Sequence, residues 1–202
     1  MRNTNVELSK NELELVTSSE FILTKNRIIE KVYNLFGSLS EVYKDKLNVY
    51  TELLPAEAFA YSPKIYKGEN YLNLPYVMMD YPRVFLKDDV FAIRSFFWWG
   101  NYFSITLHLS GRFLQTFKNN VELNLKKGNE EDYFVCINDE QWQHHFEETN
   151  YKPLKEIESV EKILNQPFIK IAKKIPLTKW NETIEFYANN YTDLIKMLTK
   201  QF

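Results

Sequence analysis

The chain has little cysteine, glycine or proline, and these shortages exclude several classes of protein. Its 202 residues include one cysteine, Cys136, which excludes an internal disulfide framework and a multi-cysteine metal site. With 5 glycines, the sequence contains no phosphate-binding loop, dinucleotide fingerprint or nucleophile elbow. It also lacks the His-Glu-x-x-His zinc motif. Any chemistry must therefore come from residues that lie far apart in the sequence.

An excess of charge of one sign and long apolar runs are also missing. The 25 basic and 27 acidic side chains nearly cancel, so we expect no nucleic-acid partner. Residues 1–10 are polar and charged, unlike a secretory signal, and no apolar run approaches the roughly 20 residues that span a bilayer. Together with the lone cysteine, these features predict a cytoplasmic protein without membrane insertion.

Aromatic residues, by contrast, are abundant and make up 16% of the chain. The hydrophobic fraction of 45% and charged fraction of 26% are typical of a soluble globular protein. A chain of this length is able to bury a sizeable core, and we predict one domain over residues 1–202.

The densest aromatic stretch predicts a central β-hairpin at about 90–110. Two runs rich in aromatic and β-branched residues, 90–99 and 102–110, flank the pair Gly100-Asn101. We expect this pair to form a two-residue turn, so that Trp99 pairs with Tyr102. Every later pairing then follows from the two-residue repeat of a strand.

This register divides the hairpin into two faces. One face is expected to be core, and its members are Val90, Ala92, Arg94, Phe96, Trp98, Phe103, Ile105, Leu107 and Leu109. The other is aromatic but includes hydroxyls and an imidazole, and its members are Phe91, Ile93, Ser95, Phe97, Trp99, Tyr102, Ser104, Thr106 and His108. We therefore predict one contiguous aromatic patch, formed by Phe97, Trp99 and Tyr102, opposite Leu107.

Helical periodicity marks the N-terminal region, at about 11–47. Apolar residues recur every three or four positions over residues 26–47, and Thr24 is a candidate N-cap. Gly37 costs about 1 kcal/mol relative to alanine in a helix, which leaves a break into two helices open. A shorter helix is expected at about 11–17.

The C-terminal region is expected to close with a helix at about 179–200. Thr178 is its candidate N-cap, and the buried stripe is predicted to comprise Trp180, Ile184, Tyr187, Tyr191, Leu194, Ile195 and Leu198. Residues 159–166 are helical in pattern. Residues 168–175 suit a strand by length and a helix by spacing, and both alternatives stay open.

Between the two helical regions, the pattern favours short elements. Residues 56–74 are expected to be irregular, and Pro82 should confine the extended segment 75–85 to an edge or end it near Tyr81. A short helix at 111–119 is then predicted, followed by a second hairpin from 121–125 and 133–137.

The alternative to that second hairpin is a longer helix, because Phe117, Val121 and Leu125 recur every four residues. Asn138 or Asp139 is expected to cap a short helix that runs through Glu148. Strands in the middle and helices at both ends predict an α+β fold, with an antiparallel sheet around the central hairpin packed by the N-terminal and C-terminal helices.

Arg94 is the charged residue that most needs an explanation, because an unpaired buried guanidinium is prohibitively costly. The nearest carboxylate in a neighbouring strand is Asp80, which predicts a structural ion pair. Arg83 and Arg112 also lie near the hairpin, and arginine suits bidentate binding of a carboxylate or phosphate. An anion-binding pocket is therefore the alternative role for Arg94.

The histidines and lysines give weaker signals. His108 would act as a general base near neutral pH, or lie hydrogen-bonded beneath a covering helix. His144 and Glu148 have the i, i+4 spacing of two metal ligands, but no third is visible, and we predict no metal and no cofactor. A local basic patch of Lys170, Lys173, Lys174 and Lys179 is typical of a solvated face.

Two hypotheses of function follow. The first is a binding module that presents its aromatic hairpin face to a protein partner, since tyrosine and tryptophan are enriched in such surfaces. The alternative is a small-molecule enzyme or anion-binding protein with a pocket near Asp80, Arg83, Arg94 and His108. A concave pocket lined by at least two of those side chains would favour the second hypothesis.

Overall fold

A computed structural model describes residues 6–127 and 132–199. In these ranges the chain forms five α-helices, which are α1 Lys10–Thr17, α2 Ser19–Asn48, α3 Gly111–Lys127, α4 Val160–Leu164 and α5 Thr183–Lys196. The seven strands are β1 Lys64–Tyr71, β2 Leu74–Phe85, β3 Val90–Trp98, β4 Tyr102–Ser110, β5 Phe134–Cys136, β6 Tyr151–Pro153 and β7 Phe168–Pro176. No helix of the described residues has the length and apolarity needed to cross a bilayer.

All seven strands belong to one antiparallel sheet in the order β1-β2-β3-β4-β7-β5-β6. The predicted α+β fold is therefore confirmed. The central hairpin of β3 and β4 lies in the middle of the sheet, and β7 pairs with β4 along its whole length. The segment 168–175, whose pattern left strand and helix open, is thus a strand.

The helices pack on one face of the sheet and enclose the main core. Tyr43 of α2 stacks on Tyr191 of α5 with ring centroids 3.7 Å apart. The hydroxyl of Tyr187 donates to the backbone oxygen of Phe96 at 3.0 Å, which ties α5 to β3. The strand residues of this core include Val77, Met79, Phe91, Ile93, Phe97, Phe103, Ile105, Leu107, Leu109, Ile169 and Ile171.

The predicted turn of the central hairpin is wrong by one residue. Trp98 pairs with Tyr102, so the connection has three residues and includes Trp99. The backbone N–H of Trp99 donates to the oxygen of Pro75, and Gly100 has φ of +74°, which a three-residue connection with a left-handed glycine accommodates. This shift turns every residue of β3 to the other face relative to β4.

The helical N-terminal region is longer and more regular than expected. A capping box at Ser9 and Glu12 begins α1, which confirms the short first helix. α2 begins at Ser19, upstream of the expected cap Thr24, and continues without a break through Gly37. Phe36 and Leu39 are buried beside this glycine, and their burial outweighs its weak helix propensity.

The expectation of an irregular segment at 56–74 is wrong, because β1 occupies Lys64–Tyr71 and pairs with β2. The two strands join at Leu72 and Asn73, which both have positive φ. Such a turn favours asparagine or glycine at both positions, and Leu72 weakens that sequence signal.

Pro82 neither ends β2 nor places it at the edge of the sheet. The register between β2 and β3 shifts between Asp80 and Arg83, and β1 pairs with β2 only as far as Asp80. Pro82 therefore lies at an irregularity where no strand of residues 6–127 or 132–199 pairs with its outer side, which explains how a residue without an N–H is tolerated.

Three further predictions about short elements are settled by the structure. α3 continues to Lys127, so the longer helix is confirmed and the predicted strand at 121–125 is wrong. Residues 128–131, which belong to the predicted second connection, lie outside the described residues. Buried Phe117, Val121 and Leu125 lie on one face of that helix. The helix predicted from 138 to 148 does not form, and this segment is irregular.

The C-terminal predictions are correct in part. Ser159 caps α4 through its side chain, as the helical pattern there indicated. α5 begins at Thr183 rather than near Thr178, because a 3-10 turn, Leu177–Glu182, precedes it. As a result Ile184 is 58% exposed, whereas the other members of the predicted stripe from Tyr187 onward are buried.

Candidate functional site

The sheet face opposite the three long helices is a polar interior. Asp80, Arg94, Thr106, His108 and Lys170 lie on it, contributed by four neighbouring strands. The register pairs Asp80 with Arg94, Arg94 with Thr106, and His108 with Lys170. The irregular segment 137–150, which follows β5, contacts this face in place of a helix.

Arg94 and Asp80 form a buried bidentate ion pair, so the predicted pairing is confirmed. Nε of Arg94 donates to Oδ1 of Asp80 at 2.7 Å, and Nη2 donates to Oδ2 at 2.8 Å. Tyr66 closes the cluster, because its hydroxyl donates to Oδ2 of Asp80 at 2.8 Å and accepts from Nη2 of Arg94 at 3.0 Å. The side chains of Arg94 and Asp80 are 11% and 3% exposed.

His144 completes the cluster from the segment 137–150. Nη1 of Arg94 donates to Nε2 of His144 at 2.8 Å. Since a guanidinium only donates, Nε2 is an acceptor and the ring proton is on Nδ1. Burial and the positive charge of Arg94 lower the pKa of His144 well below its usual value. This imidazole is therefore neutral at physiological pH, and the helical His144–Glu148 metal pair is not formed.

Tyr71 holds the same segment to the sheet. Its hydroxyl oxygen accepts from the backbone N–H of His144 at 2.6 Å and of His145 at 3.1 Å. The same hydroxyl lies 3.1 Å from Nδ1 of His145, to which it donates because its lone pairs face the two amides. These bonds fix the path of the chain over the polar face.

His108 is buried beneath the segment 137–150, with 4% of the residue exposed. Nε2 of His108 donates to Oε1 of Gln141 at 3.1 Å, and its ring contacts that of Trp142 edge-on. Burial, followed by the nearby charge of Lys170, lowers the pKa of His108 to about 3. The side chain is therefore neutral and hydrogen-bonded, which is the arrangement of a structural histidine.

The prediction that Lys170 lies on a solvated face is wrong, because this lysine is buried. Only 1% of the residue is exposed, and its ammonium donates to the backbone oxygen of Gln143. The ring of Tyr151 lies 5.2 Å from Nζ. Burial lowers the pKa of Lys170 to about 8. Lys173, Lys174 and Lys179 lie together at the end of β7, whereas Lys170 is buried beneath the segment 137–150, so the four lysines do not form one solvated patch.

A cleft of about 380 Å³ opens beside the Arg94–Asp80–Tyr66 cluster. Its cations are Lys64, Arg83 and Arg94, against one lining carboxylate, Asp80, among the described residues. Its remaining walls are the rings of Tyr66, Phe85 and Trp142. The cleft thus includes three of the four side chains named in the anion-binding hypothesis, without His108.

The irregularity in β2 explains why Arg83 and Phe85 line this cleft. In a regular strand, residues 82 and 84 would share the face of Asp80. The register shift between Asp80 and Arg83 moves this alternation by one, so that Val84 is buried in the main core while Arg83 and Phe85 lie beside Asp80. No pattern in the sequence marks that shift apart from Pro82.

Two partly exposed aromatic rings lie at the mouth of the cleft. Phe85 is 38% exposed and Trp142 is 47% exposed, and their ring centroids are 6.1 Å apart. The guanidinium of Arg83 lies 5.1 Å from the ring of Tyr61, and its Nε donates to the backbone oxygen of Ser62 at 2.7 Å. These contacts orient Arg83 without neutralising its charge.

The predicted contiguous patch of Phe97, Trp99 and Tyr102 is wrong. Phe97 is 1% exposed and lies in the main core with Leu107, and Trp99 packs against that same core. Tyr102 lies on the opposite face, where its hydroxyl donates to the backbone oxygen of His144 at 3.2 Å. The physical reason is the one-residue register shift, because it places Phe97 on the face of Leu107 and leaves Tyr102 on the opposite face.

Within residues 6–127 and 132–199, no group of three or more histidine, cysteine or acidic side chains is arranged to hold a metal ion. Cys136 is buried as a free thiol, and burial raises its pKa.

Comparisons with protein-family models, with curated proteins and with solved structures found no match to this chain.

Proposed function

We propose that the protein binds a small organic anion with a planar apolar part in the cleft formed by Lys64, Arg83, Arg94, Phe85 and Trp142. The observation that carries this proposal is the imbalance of charge in the cleft. Three cations line it, and its one described carboxylate, Asp80, is already bound by Arg94. An anionic ligand would supply the missing negative charge.

The two outer cations are placed to receive the charged group. Nζ of Lys64 lies 5.7 Å from the ring of Tyr66, and Arg83, which lines the cleft, uses Nε for a backbone oxygen and leaves its two Nη groups without a hydrogen bond among the described residues. A guanidinium with free Nη donors suits bidentate binding of a carboxylate or phosphate. Arg94 forms the floor, with four of its five N–H donors engaged by Asp80, Tyr66 and His144.

The aromatic mouth favours a ligand that is more than a simple ion. Ligand sites in proteins combine apolar walls with a few polar groups that fix orientation, within about 300–1,000 Å³. The exposed faces of Phe85 and Trp142 supply such walls at the entrance of a 380 Å³ cleft. Their burial by a ligand ring would add to the electrostatic attraction.

Recognition is favoured over acid–base catalysis. Asp80 accepts two bonds from Arg94 and one from Tyr66, so three of the roughly four acceptor positions of the cleft's carboxylate are already engaged. The hypothesis of a protein-binding aromatic face loses the surface on which it depended, because Phe97, Trp99 and Tyr102 do not share one face. A cytoplasmic setting remains part of the proposal, since Cys136 is a free thiol.

A titration with a matched pair of probes tests the proposal. Benzoate and phenyl phosphate are added to the ¹⁵N-labelled protein, with benzyl alcohol as the uncharged control, and the indole N–H signal of Trp142 is followed by NMR. We expect saturable shifts with the two anions and at least a tenfold weaker response to the alcohol.

Substitutions then assign the response to the cleft. Lys64→Gln combined with Arg83→Gln should weaken binding of phenyl phosphate by at least about tenfold, because two ligand-facing charges are lost. Lys67→Gln, which removes an exposed lysine of β1 that does not line the cleft, is the control and should bind as the parent does. Equal binding by the double variant, or equal shifts with benzyl alcohol, would contradict the proposal.

A further inference from the structure

A second cleft lies at the C-terminal end of β7, in the half of the sheet that includes β5 and β6. β5 pairs with β7 only at Ile171 and Ala172, so residues 173–176 have no strand on their outer side among the described residues. A cleft of about 430 Å³ occupies this place, and it shares no lining residue with the cleft beside Arg94.

Four lysines line this second cleft, which are Lys155, Lys173, Lys174 and Lys179. They come from the 3-10 turn after β6, from β7 and from the 3-10 turn before α5, so the fold brings them together from separate parts of the chain. Asp132 is the one carboxylate that lines the cleft within residues 6–127 and 132–199. Lys179 also pairs with Glu182 at 3.1 Å, so Lys155, Lys173 and Lys174 supply the local excess of positive charge in a chain whose formal net charge is -2.

The two β7 lysines are held by aromatic rings. Nζ of Lys173 lies 4.0 Å from the ring centroid of Tyr133, and Nζ of Lys174 lies 4.9 Å from those of Phe134 and Phe146. Cation–π contacts orient an ammonium group and leave its full charge in place. Partial burial lowers the pKa of Lys174, whose side chain remains exposed, and no carboxylate is among the causes of that shift.

We propose that this cleft is a second binding site and that it takes a small phosphorylated molecule with an apolar part. Lysine binds phosphate as a point charge, whereas arginine forks favour planar bidentate pairs, and no arginine lines this cleft among the described residues. Phe134 and Phe186 form apolar walls for the remainder of the ligand. The concave volume is that of a small-molecule site.

Calorimetric titration tests this site with tripolyphosphate and adenosine triphosphate as probes and citrate as a multiply charged carboxylate control. We expect both phosphate probes to bind, the nucleotide more tightly because its ring adds apolar contact, and citrate to bind at least about tenfold more weakly than tripolyphosphate. Failure of either phosphate probe to bind at millimolar concentration, or equal binding of citrate, would overturn the proposal.

Paired variants locate the binding. Lys173→Gln with Lys174→Gln should weaken tripolyphosphate binding by at least about tenfold, whereas Lys152→Gln with Lys162→Gln removes the same charge from exposed lysines outside the cleft and should change it less than about twofold. If the first pair of substitutions prevents folding, a variant with glutamine at the exposed positions Lys155 and Lys179 gives the same test. We expect it to weaken tripolyphosphate binding by about threefold. Equal effects of the cleft and control variants would mean diffuse attraction by surface charge and would overturn the proposal.

Two further probes separate the sources of phosphate. A single-stranded oligonucleotide and vesicles with an anionic phospholipid are titrated under the same conditions. The assignment of a small molecule would be overturned if the oligonucleotide or the vesicles bound more tightly than adenosine triphosphate and if the Lys173→Gln with Lys174→Gln variant lost that binding. Because the first cleft is itself proposed to attract anions, the same titrations are repeated in the Lys64→Gln and Arg83→Gln variant. Tripolyphosphate binding that persists there is assigned to the second cleft, and loss of all binding in that variant would overturn the proposal.

Discussion

The ion pair of Arg94 and Asp80 is the polar contact on which the first cleft is built. It joins β2 to β3 directly, and through His144 it also joins the sheet to the segment 137–150. A buried ion pair adds little net stability compared with apolar residues of the same volume, but removal of one partner leaves an unpaired charge in the interior. The pair is therefore expected to be far more costly to break than to replace.

Replacement of Arg94 by methionine tests this expectation. The change strands the Asp80 carboxylate, and we expect the free energy of unfolding to fall by about 3–5 kcal/mol. Urea denaturation at pH 7 measures the loss, and Arg83→Met, whose guanidinium donates to a backbone oxygen at the surface, should cost about 1 kcal/mol or less. Adding Asp80→Asn to Arg94→Met should restore part of the loss. Equal costs for the two arginine variants would show that Asp80 gains no stabilisation from Arg94.

Part of this site could be predicted from single residues. The cost of a buried guanidinium, together with one acidic residue in the neighbouring strand, predicted the Arg94–Asp80 pair. The face was wrong, because Arg94 was expected beside Leu107 and lies beside Thr106 on the opposite face, which is also buried. The contributions of Tyr66 and His144 were not predictable in this way, because β1 was not recognised as a strand and His144 lies in a segment without regular structure. Both residues are brought to Arg94 by the tertiary fold rather than by a local pattern.

At the scale of elements, the central hairpin shows what a hydrophobic pattern leaves undetermined. Both faces of β3 are apolar, since Phe91, Ile93 and Phe97 lie on one and Phe96 and Trp98 on the other. A strand with two apolar faces fits either register equally well, so only the length of the turn distinguishes them. The strict alternation in β4 located its core face correctly, and the error lay in counting Trp99 as a strand residue.

The first helix, α1, is expected to contribute little to the stability of the fold. α1 buries no residue, and its side chains Leu13 and Val16 are 54% and 68% exposed. A chain that begins at Ser18 should therefore lose about 1 kcal/mol or less of unfolding free energy, whereas Phe36→Ala in α2, where the ring is fully buried, should cost about 3–5 kcal/mol. Urea denaturation of the two variants measures both values. A loss above about 2 kcal/mol for the shortened chain would mean that α1 stabilises the fold through contacts beyond those described.

At the scale of the whole molecule, the sheet is covered in two different ways. Long helices bury one face through apolar contacts. The segment 137–150 covers the other face, and side chains from the sheet and from the segment itself form hydrogen bonds with its backbone N–H and C=O groups. Tyr71 accepts from two of its amides, Asn150 donates to the oxygen of His145 at 2.6 Å, and Lys170 donates to that of Gln143. Such a segment has no periodic signature, which is why a helix was expected in its place.

Lys170 connects this covering to the pH dependence of the whole fold. Burial lowers its pKa from the usual 10.5 to about 8, with Cys136, Arg94, His108 and Glu140 as its titratable neighbours. Between pH 8 and 10.5 the folded chain releases this proton while the unfolded chain keeps it, so the unfolded state binds more protons and stability rises with pH. Below pH 8 the group is charged in both states and this contribution is lost.

Lys170→Met should therefore flatten the pH dependence of stability. We expect the free energy of unfolding of the parent protein, minus that of the variant, to rise between pH 8 and 10 by up to about 1.4 kcal/mol per pH unit, the limit for one proton. Urea denaturation at half-unit intervals measures the difference, in which the opposite contribution of buried Cys136, present in both chains, largely cancels. Lys152→Met, at an exposed position of β6, is the matched control and should follow the parent curve. A difference that stays constant across this range would contradict the lowered pKa of Lys170 and, with it, the closed position of the segment 137–150 over the polar face.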